Sequence, residues 1–256
     1  MSLSIGALLL LIAVFFVACA IGVVTGSNSL VTVPMMFQLG IDPKTAVATN
    51  MFGLTFWSIG SVVPFLGKGV IEKRRMPLLL TLTLIGSALG ALLVGYISSD
   101  NMPLVISISM ICVVIFSIAN PKGGLKKAEN VTPTREFFAY FLTFAVGIYG
   151  GLFSGGYSTI MTAVFISLAG MTFTEAVVNT KFINIFSSAI ATIIFAYQGL
   201  IDYKLGAILA VTMFLAAYFG ARVVTKLSDV WLRRIFLTTV ILLAMKILLF
   251  DVLKVL

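Results

Sequence analysis

Long apolar runs separated by short polar loops set the plan of this chain. Ile5 to Val24 and Leu78 to Val94 contain no charged residue. Hydropathy breaks give five segments in the first half, at 3–24, 27–39, 44–66, 77–97 and 102–119. Five more follow at 137–153, 157–169, 172–197, 204–225 and 231–250. About 20 apolar residues make a helix long enough to cross a ~30 Å hydrocarbon core. The second segment of each half has 13 residues, about 20 Å of helix at 1.5 Å per residue, and is predicted to be a half-helix or a re-entrant piece. Each short segment follows a break rich in glycine and hydroxyls: Thr25-Gly26-Ser27-Asn28-Ser29 in one half, Ser154-Gly155-Gly156-Tyr157-Ser158-Thr159 in the other.

The two halves repeat each other at an offset of 130 positions, which matches residues 20–118 without a gap. Gly40-Ile41-Asp42-Pro43-Lys44-Thr45-Ala46-Val47 aligns with Gly170-Met171-Thr172-Phe173-Thr174-Glu175-Ala176-Val177. Gly26, Thr32, Phe52, Phe56, Ser58, Phe65 and Gly69 meet Gly156, Thr162, Phe182, Phe186, Ser188, Phe195 and Gly199, and Gly90-Ala91 meets Gly220-Ala221. Apolar helices share Leu and Val by chance, so the glycines and the equal loop spacing carry the argument for duplication.

Charge gives the two copies a direction. Of the 17 Lys and Arg, 12 fall in three loops: Lys68, Lys73, Arg74 and Arg75; Lys122, Lys126, Lys127 and Arg135; and Arg222, Lys226, Arg233 and Arg234. The offset partners of the first and third loops are poor in basic residues, with Lys204 and Asp202 in 198–204 and Asp100 in 98–102. Basic loops mark the cytoplasmic side, so equivalent loops face opposite sides and each copy crosses an odd number of times. The expected fold is an all-α polytopic membrane protein of two inverted-topology repeats, each with about five helical segments including one short or re-entrant segment. The expected division is a first transmembrane repeat at 1–119, a cytoplasmic linker at 120–136 and a second repeat at 137–256, with both termini outside.

Composition narrows the chemistry. The chain is 60% apolar and 10% charged, with a mean hydropathy of +1.15. Its net charge of +8 sits in the short loops, where it reads as topology signal and lipid headgroup contact rather than nucleic-acid binding. There is no histidine, and Cys19 and Cys112 lie in apolar segments without Cys-x-x-Cys spacing. That pattern offers no metal site, no disulfide framework and no cofactor motif. Ala18-Cys19-Ala20 mimics a cleavage site, yet Met1 to Ala20 lacks a basic n-region, so this segment is read as a retained helix.

Backbone that is not helical at membrane depth must line a cavity or be buried in protein, because hydrocarbon cannot satisfy its N–H and C=O groups. A half-helix that opens at such a break presents free N–H groups to an anion. The competing reading of Gly22-x-x-x-Gly26, Gly86-x-x-x-Gly90 and Gly147-x-x-x-Gly151 is close helix packing. Lys181 lies nine residues into the segment that begins at 172, about 13 Å deep, with Asn184 and Ser188 on its face. It serves either as countercharge for an anion or as a cap for carbonyls or partner for a distant acid. Arg222 and Lys246 lie near segment ends and read as snorkelling, and Trp57 shares a face with Asn50 and Gly53.

The motifs Gly147-x-Tyr149-Gly150-Gly151-x-Phe153-x-Gly155-Gly156, Ala176-x-x-Asn179-Thr180-Lys181-x-x-Asn184-x-x-Ser187, Gly199-x-Ile201-Asp202-Tyr203 and Gly220-Ala221-Arg222 resemble the TauE/SafE sulfite-exporter family over nearly the whole chain. The first copy adds Pro34, Gly40 and Ala46-Val47-Ala48-Thr49. The resemblance implies a prokaryotic inner-membrane carrier of small sulfur-containing anions, sulfite or organosulfonates, coupled to the proton gradient. One departure is Gly26-Ser27-Asn28-Ser29, where the family usually has three glycines. The expected substrate-binding set is Lys181, Asn184, Asn179, Asn50, Thr25, Gly26, Ser27, Asn28, Ser154, Gly155, Gly156, Ser158 and Thr159, with Glu175 as the candidate proton carrier. A passive anion channel, or a carrier of another small carboxylate or oxyanion, fits the same residues. An intramembrane enzyme lacks parts, having no histidine, no paired aspartates within segments and no cysteine beside a base. The partners implied are a small anion and the lipid bilayer.

Overall fold

A computed structural model describes residues 4–26, 28–106 and 131–228, with isolated positions at 108, 230, 231, 234 and 238. The predicted segments at 102–119 and 231–250, most of the linker, and Ser27 lie largely or wholly outside the described residues. Eight α-helices are described: α1 (Ile5–Thr25), α2 (Ser29–Gln38), α3 (Pro43–Val62), α4 (Met76–Tyr96), α5 (Pro133–Leu152), α6 (Tyr157–Ser167), α7 (Phe173–Tyr197) and α8 (Tyr203–Val224). The protein is an all-α polytopic membrane protein. Five helices, α1, α3 with its terminal turn, α4, α7 and α8, are long and apolar enough to cross a membrane. The short pair α2 and α6, with 10 and 11 residues, spans only about 15 Å each.

Helix starts follow from local chemistry. Asp42 accepts from the Thr45 N–H at 3.0 Å and is followed by Pro43, whose missing N–H costs nothing in a first turn. At the offset position Thr172 and Glu175 form a reciprocal capping box. Thr132 accepts from the Arg135 N–H and precedes Pro133, so α5 begins before the predicted 137. Its polar first turn of Thr134, Arg135 and Glu136 escapes a hydropathy criterion. The α-helix of α3 ends at Val62 and tightens into a 3-10 turn, Val63–Phe65, because Pro64 cannot donate to an α-helical ladder.

The offset of 130 is written into the backbone. Among the described residues seven glycines have positive φ, and six of them pair at that offset: Gly26 and Gly156 at 70° and 77°, Gly40 and Gly170 at 79° and 70°, Gly69 and Gly199 at 71° and 69°. The packing obeys the same exchange. Helix α4 lies against α5 and α7, while the corresponding α8 lies against α1 and α3, and α3 pairs with α7 across the centre. Helices α4 and α8 therefore each pack on the other half of the chain, giving one bundle of α1, α2, α3 and α8 and another of α5, α6, α7 and α4.

Glycine brings helices together within these bundles. A Cβ on Gly90 would strike the Ile148 carbonyl oxygen, and one on Gly151 the Ser87 carbonyl oxygen. A Cβ on Gly86 would lie 2.6 Å from the Phe144 oxygen and one on Gly220 2.5 Å from the Ala20 oxygen. The close-packing reading thus accounts for the Gly86, Gly90, Gly147 and Gly151 motifs. Large apolar side chains such as Leu9, Ile85, Phe141, Val211 and Phe219 are exposed on the outer surface, as a hydrocarbon solvent requires.

The basic loops gather at one end. Arg75 pairs with Glu136 at 3.0 Å and donates to the Ala169 carbonyl at 2.9 Å, while Lys68 shares a cleft with Arg222 and Lys226. At the opposite end Lys44 donates to the Gly95 carbonyl at 3.3 Å and Gln198 to the Ala91 carbonyl at 3.4 Å. Helices α3 and α7 run between these ends in opposite directions. Replacing Gly90 by leucine is expected to force α4 off α5 and lower the melting temperature in detergent by several degrees, since overpacking costs about 1–3 kcal/mol. Gly6, where an added Cβ would meet nothing within 4 Å, should accept alanine without change; equal melting of the two variants would refute close packing at Gly90.

Candidate functional site

The two glycine-rich breaks meet. Gly26 has φ of 70°, and a Cβ there would sit 2.6 Å from the Ser158 Cβ and 2.9 Å from the Thr159 nitrogen. Both the conformation and the contact demand glycine. The Thr159 hydroxyl donates to the Thr25 carbonyl at 2.7 Å, and the Ser154 hydroxyl donates to the Ser29 hydroxyl at 2.9 Å. The Tyr149 hydroxyl donates to the Gly155 carbonyl. From the crossing, α2 and α6, each about 15 Å long, run to opposite ends of the bundle.

Polar side chains radiate from this crossing. The Asn50 amide donates to Ser29 at 3.0 Å and its carbonyl accepts from Thr32 at 2.9 Å. The offset pair Thr162 and Thr180 is joined at 3.4 Å. Asn184 donates to Ser58 at 2.8 Å across the α3–α7 seam, and Ser188 donates to the Asn184 carbonyl at 2.5 Å.

Lys181 is 2% exposed. Its Nζ lies 4.2 Å from the ring centroid of Trp57, itself wholly buried. The Trp57 indole N–H donates to the Cys19 carbonyl at 2.9 Å, and the Asn28 amide reaches the Cys19 Sγ at 3.4 Å. One cluster therefore joins the first break to the charge on α7. Among the described residues the ion pair within 4 Å is Arg75–Glu136, and no carboxylate lies within that distance of Lys181. A desolvated cation–π contact is worth about 2 kcal/mol, whereas burying an ammonium ion costs several kcal/mol. The aromatic face alone leaves the charge under-compensated.

The structure thus brings Thr25, Gly26, Asn28, Asn50, Ser154, Gly155, Gly156, Ser158, Thr159, Lys181 and Asn184 into or around one polar centre. Ser27 lies outside the described residues. Asn179 is engaged elsewhere: its amide donates to the Val70 carbonyl at 3.0 Å and the Glu175 carbonyl at 2.7 Å, and its oxygen accepts from the Glu72 N–H at 2.8 Å. At the offset position Thr49 accepts from the Asp202 N–H at 3.0 Å, so these two side chains tether matching loops. Glu175 takes part in the helix cap, accepting from the Thr172 N–H at 3.0 Å.

Sequence reasoning undervalued Cys19, Ser29, Thr32 and Ser58. The usable signal was the depth of isolated polar residues in apolar segments, since Ser58 lies beside Trp57 and eight residues after Asn50 on α3.

The sequence profile described as "Sulfite exporter TauE/SafE" matches residues 10–247. The "Probable membrane transporter protein YfcA" of Escherichia coli K12 is 28% identical over 84% of this chain and 81% of the relative. The "Probable membrane transporter protein ORF9" of a Sinorhizobium species is 26% identical over 81% and 79%. A "Probable membrane transporter protein" of Haemophilus influenzae is 24% identical over 88% of both chains. No solved structure matches the chain at a significant level.

A buried cation without a fixed counter-ion is a stability cost that an apolar side chain of similar length removes. Lys181→Met is therefore expected to keep or raise the melting temperature of the purified protein in detergent. A fall of more than a few degrees would mean that Lys181 is a structural element of the resting fold.

Proposed function

This chain belongs to the sulfite exporter TauE/SafE family, and from that footing we propose that it is a secondary carrier of a small sulfur-containing oxyanion, sulfite or an organosulfonate. It is a multi-pass membrane transporter. The observation that carries the proposal is Lys181, buried against Trp57 beside the crossed breaks with no carboxylate among the described residues within 4 Å. A permanent carboxylate there would neutralise the site, whereas a transient anion can supply the charge, leave, and be replaced.

In this reading the Lys181 ammonium provides the countercharge, and hydroxyls at Ser29, Ser154, Ser158 and Thr159 with the Asn28 and Asn184 amides orient the oxygens. Asn28 and Ser29 stand where the family's glycines usually do. They narrow that half of the site and add donors, which favours an anion with more than one oxygen face to address.

We read the two copies as inverted repeats and assign alternating access to rocking between the bundles. The moving bodies are then α1–α3 with α8, and α5–α7 with α4, because each fourth helix is packed on the opposite copy. Glu175 remains the candidate proton carrier, since its carboxylate holds the cap of α7 and its protonation would loosen the start of the helix bearing Lys181.

Vesicles loaded with the protein should accumulate radiolabelled sulfite under an imposed proton gradient, and a protonophore should abolish the accumulation. Lys181→Ala is expected to reduce initial uptake about 10- to 100-fold, the effect of losing a charged hydrogen bond worth about 1.5–3 kcal/mol. Undiminished uptake would remove Lys181 from the mechanism. Downhill flux that never becomes concentrative would favour a passive anion channel. Glu175→Gln should retain counterflow exchange but lose concentrative uptake if it carries the proton.

A further inference from the structure

At the basic end of the bundle a cleft of about 610 Å³ opens between the 3-10 turn after α3 and the last turns of α8. Lys68, Arg222 and Lys226 line it, together with Tyr218, Phe219 and Val223. No Asp or Glu is among the described lining residues. The Arg222 guanidinium lies 4.7 Å from the Tyr218 ring centroid, which holds the plane of the guanidinium and presents its edge N–H groups in a fixed direction. Lys68 is tied similarly, 5.8 Å over the Phe65 ring. Phe219 and Val223 are 53% and 59% exposed and continue the apolar wall onto the outer surface.

The same place in the other copy is built differently. The offset partners of Lys68, Arg222 and Lys226 are Gln198, Leu92 and Tyr96. There the Gln198 amide donates to the Ala91 carbonyl at 3.4 Å and lies against Gly95. A scaffold that pairs its glycines at this offset has placed cations at all three of these positions in one half and at none of the matching positions in the other. Helix packing alone does not ask for that difference.

We propose that this cleft is a binding site for the headgroup of an anionic phospholipid, with Arg222 and Lys226 holding the phosphodiester, Lys68 closing over it, and the acyl chains running along Phe219 and Val223. Three donors set around a pocket suit a phosphate, which Arg engages through two parallel hydrogen bonds and Lys as a point charge. Basic pockets between membrane helices on the cytoplasmic side are the recurring form of such sites. The apolar wall separates a lipid from a free inorganic anion, because only the lipid gains from it. The cleft is far larger than one tetrahedral oxyanion, and it lies at the end of the bundle and shares no residue with the centre around Lys181. The site does not depend on which solute is carried.

The test is native mass spectrometry of the full chain, delipidated in detergent and titrated with phosphatidylglycerol or phosphatidylcholine. The unmodified protein should retain phosphatidylglycerol in preference to phosphatidylcholine, and Arg222→Gln with Lys226→Gln should weaken that binding about fivefold or more, as expected for losing two headgroup contacts. Lys204→Gln, at the opposite end, should bind as the parent does. Lys68→Gln changes an exposed loop side chain and gives a smaller loss in the same direction, which keeps the test decisive if the double variant does not fold. Equal binding by all variants would overturn the proposal, as would equal retention of the two lipids. Displacement of phosphatidylglycerol by millimolar inorganic phosphate would also overturn it and assign the cations to a free anion.

Discussion

Hydrocarbon offers no partner for a backbone N–H or C=O, and two helix breaks of this protein are buried inside its apolar bundle. Everything central to the structure follows from how that difficulty is met. The two interruptions are laid across each other, so that Thr159 caps the carbonyl of Thr25 and Ser154 meets Ser29. Gly26 allows the approach because any Cβ would collide with Ser158. What would be a defect in one helix becomes, when doubled and crossed, a polar centre held inside an apolar shell.

The two halves meet at the crossing but differ in the side chains they bring to it. At the offset positions Lys181 stands against Met51 and Trp57 against Ser187. Met51 is buried at 2% exposure, the same as Lys181, so both positions are interior and only one carries charge. Ser187 lies 2.5 Å from Ser87, a hydroxyl pair holding α7 to α4. The mate of that contact is Trp57, which turns from helix packing to covering the ammonium ion. The buried polar centre is therefore lopsided, with its cation from the second half of the chain and its aromatic face from the first.

Much of the frame is legible in the sequence because its determinants are local. The short segments show themselves by length, and the positive-φ glycines by recurrence: Gly26 with Gly156, Gly40 with Gly170, Gly69 with Gly199. Basic loops sort by side from charge alone, and the structure gathers Arg75, Glu136, Lys68 and Arg222 at one end. The contact between Lys181 and Trp57 is of another kind. It depends on which faces of α3 and α7 meet, and no spacing within either helix encodes that. Asn179 makes the same point from the other side. Two residues before Lys181 it is counted from the sequence among the substrate-binding residues, yet its amide closes on Val70 and Glu72, more than a hundred residues away. Burial of a polar residue announces that it has a partner; it does not say whether the partner is a loop or a ligand.

The division of contacts bears on how such a molecule could move. Within each bundle, glycines bring backbone against backbone, as at Gly86, Gly90 and Gly151 between α4 and α5 or Gly220 between α8 and α1. These contacts have no slack, since a shift of one methyl group's width separates the helices. Across the α3–α7 seam the contacts are instead side chain to side chain: Asn184 to Ser58 and Lys181 to Trp57. Polar side-chain contacts can be exchanged for equivalents at modest cost, because each net hydrogen bond is worth only about 1 kcal/mol. A rocking motion would shear this seam and leave the bundles intact. An anion bound between them could then take over the hydrogen bonds and the charge that the seam gives up, and that exchange is what would couple occupancy to motion.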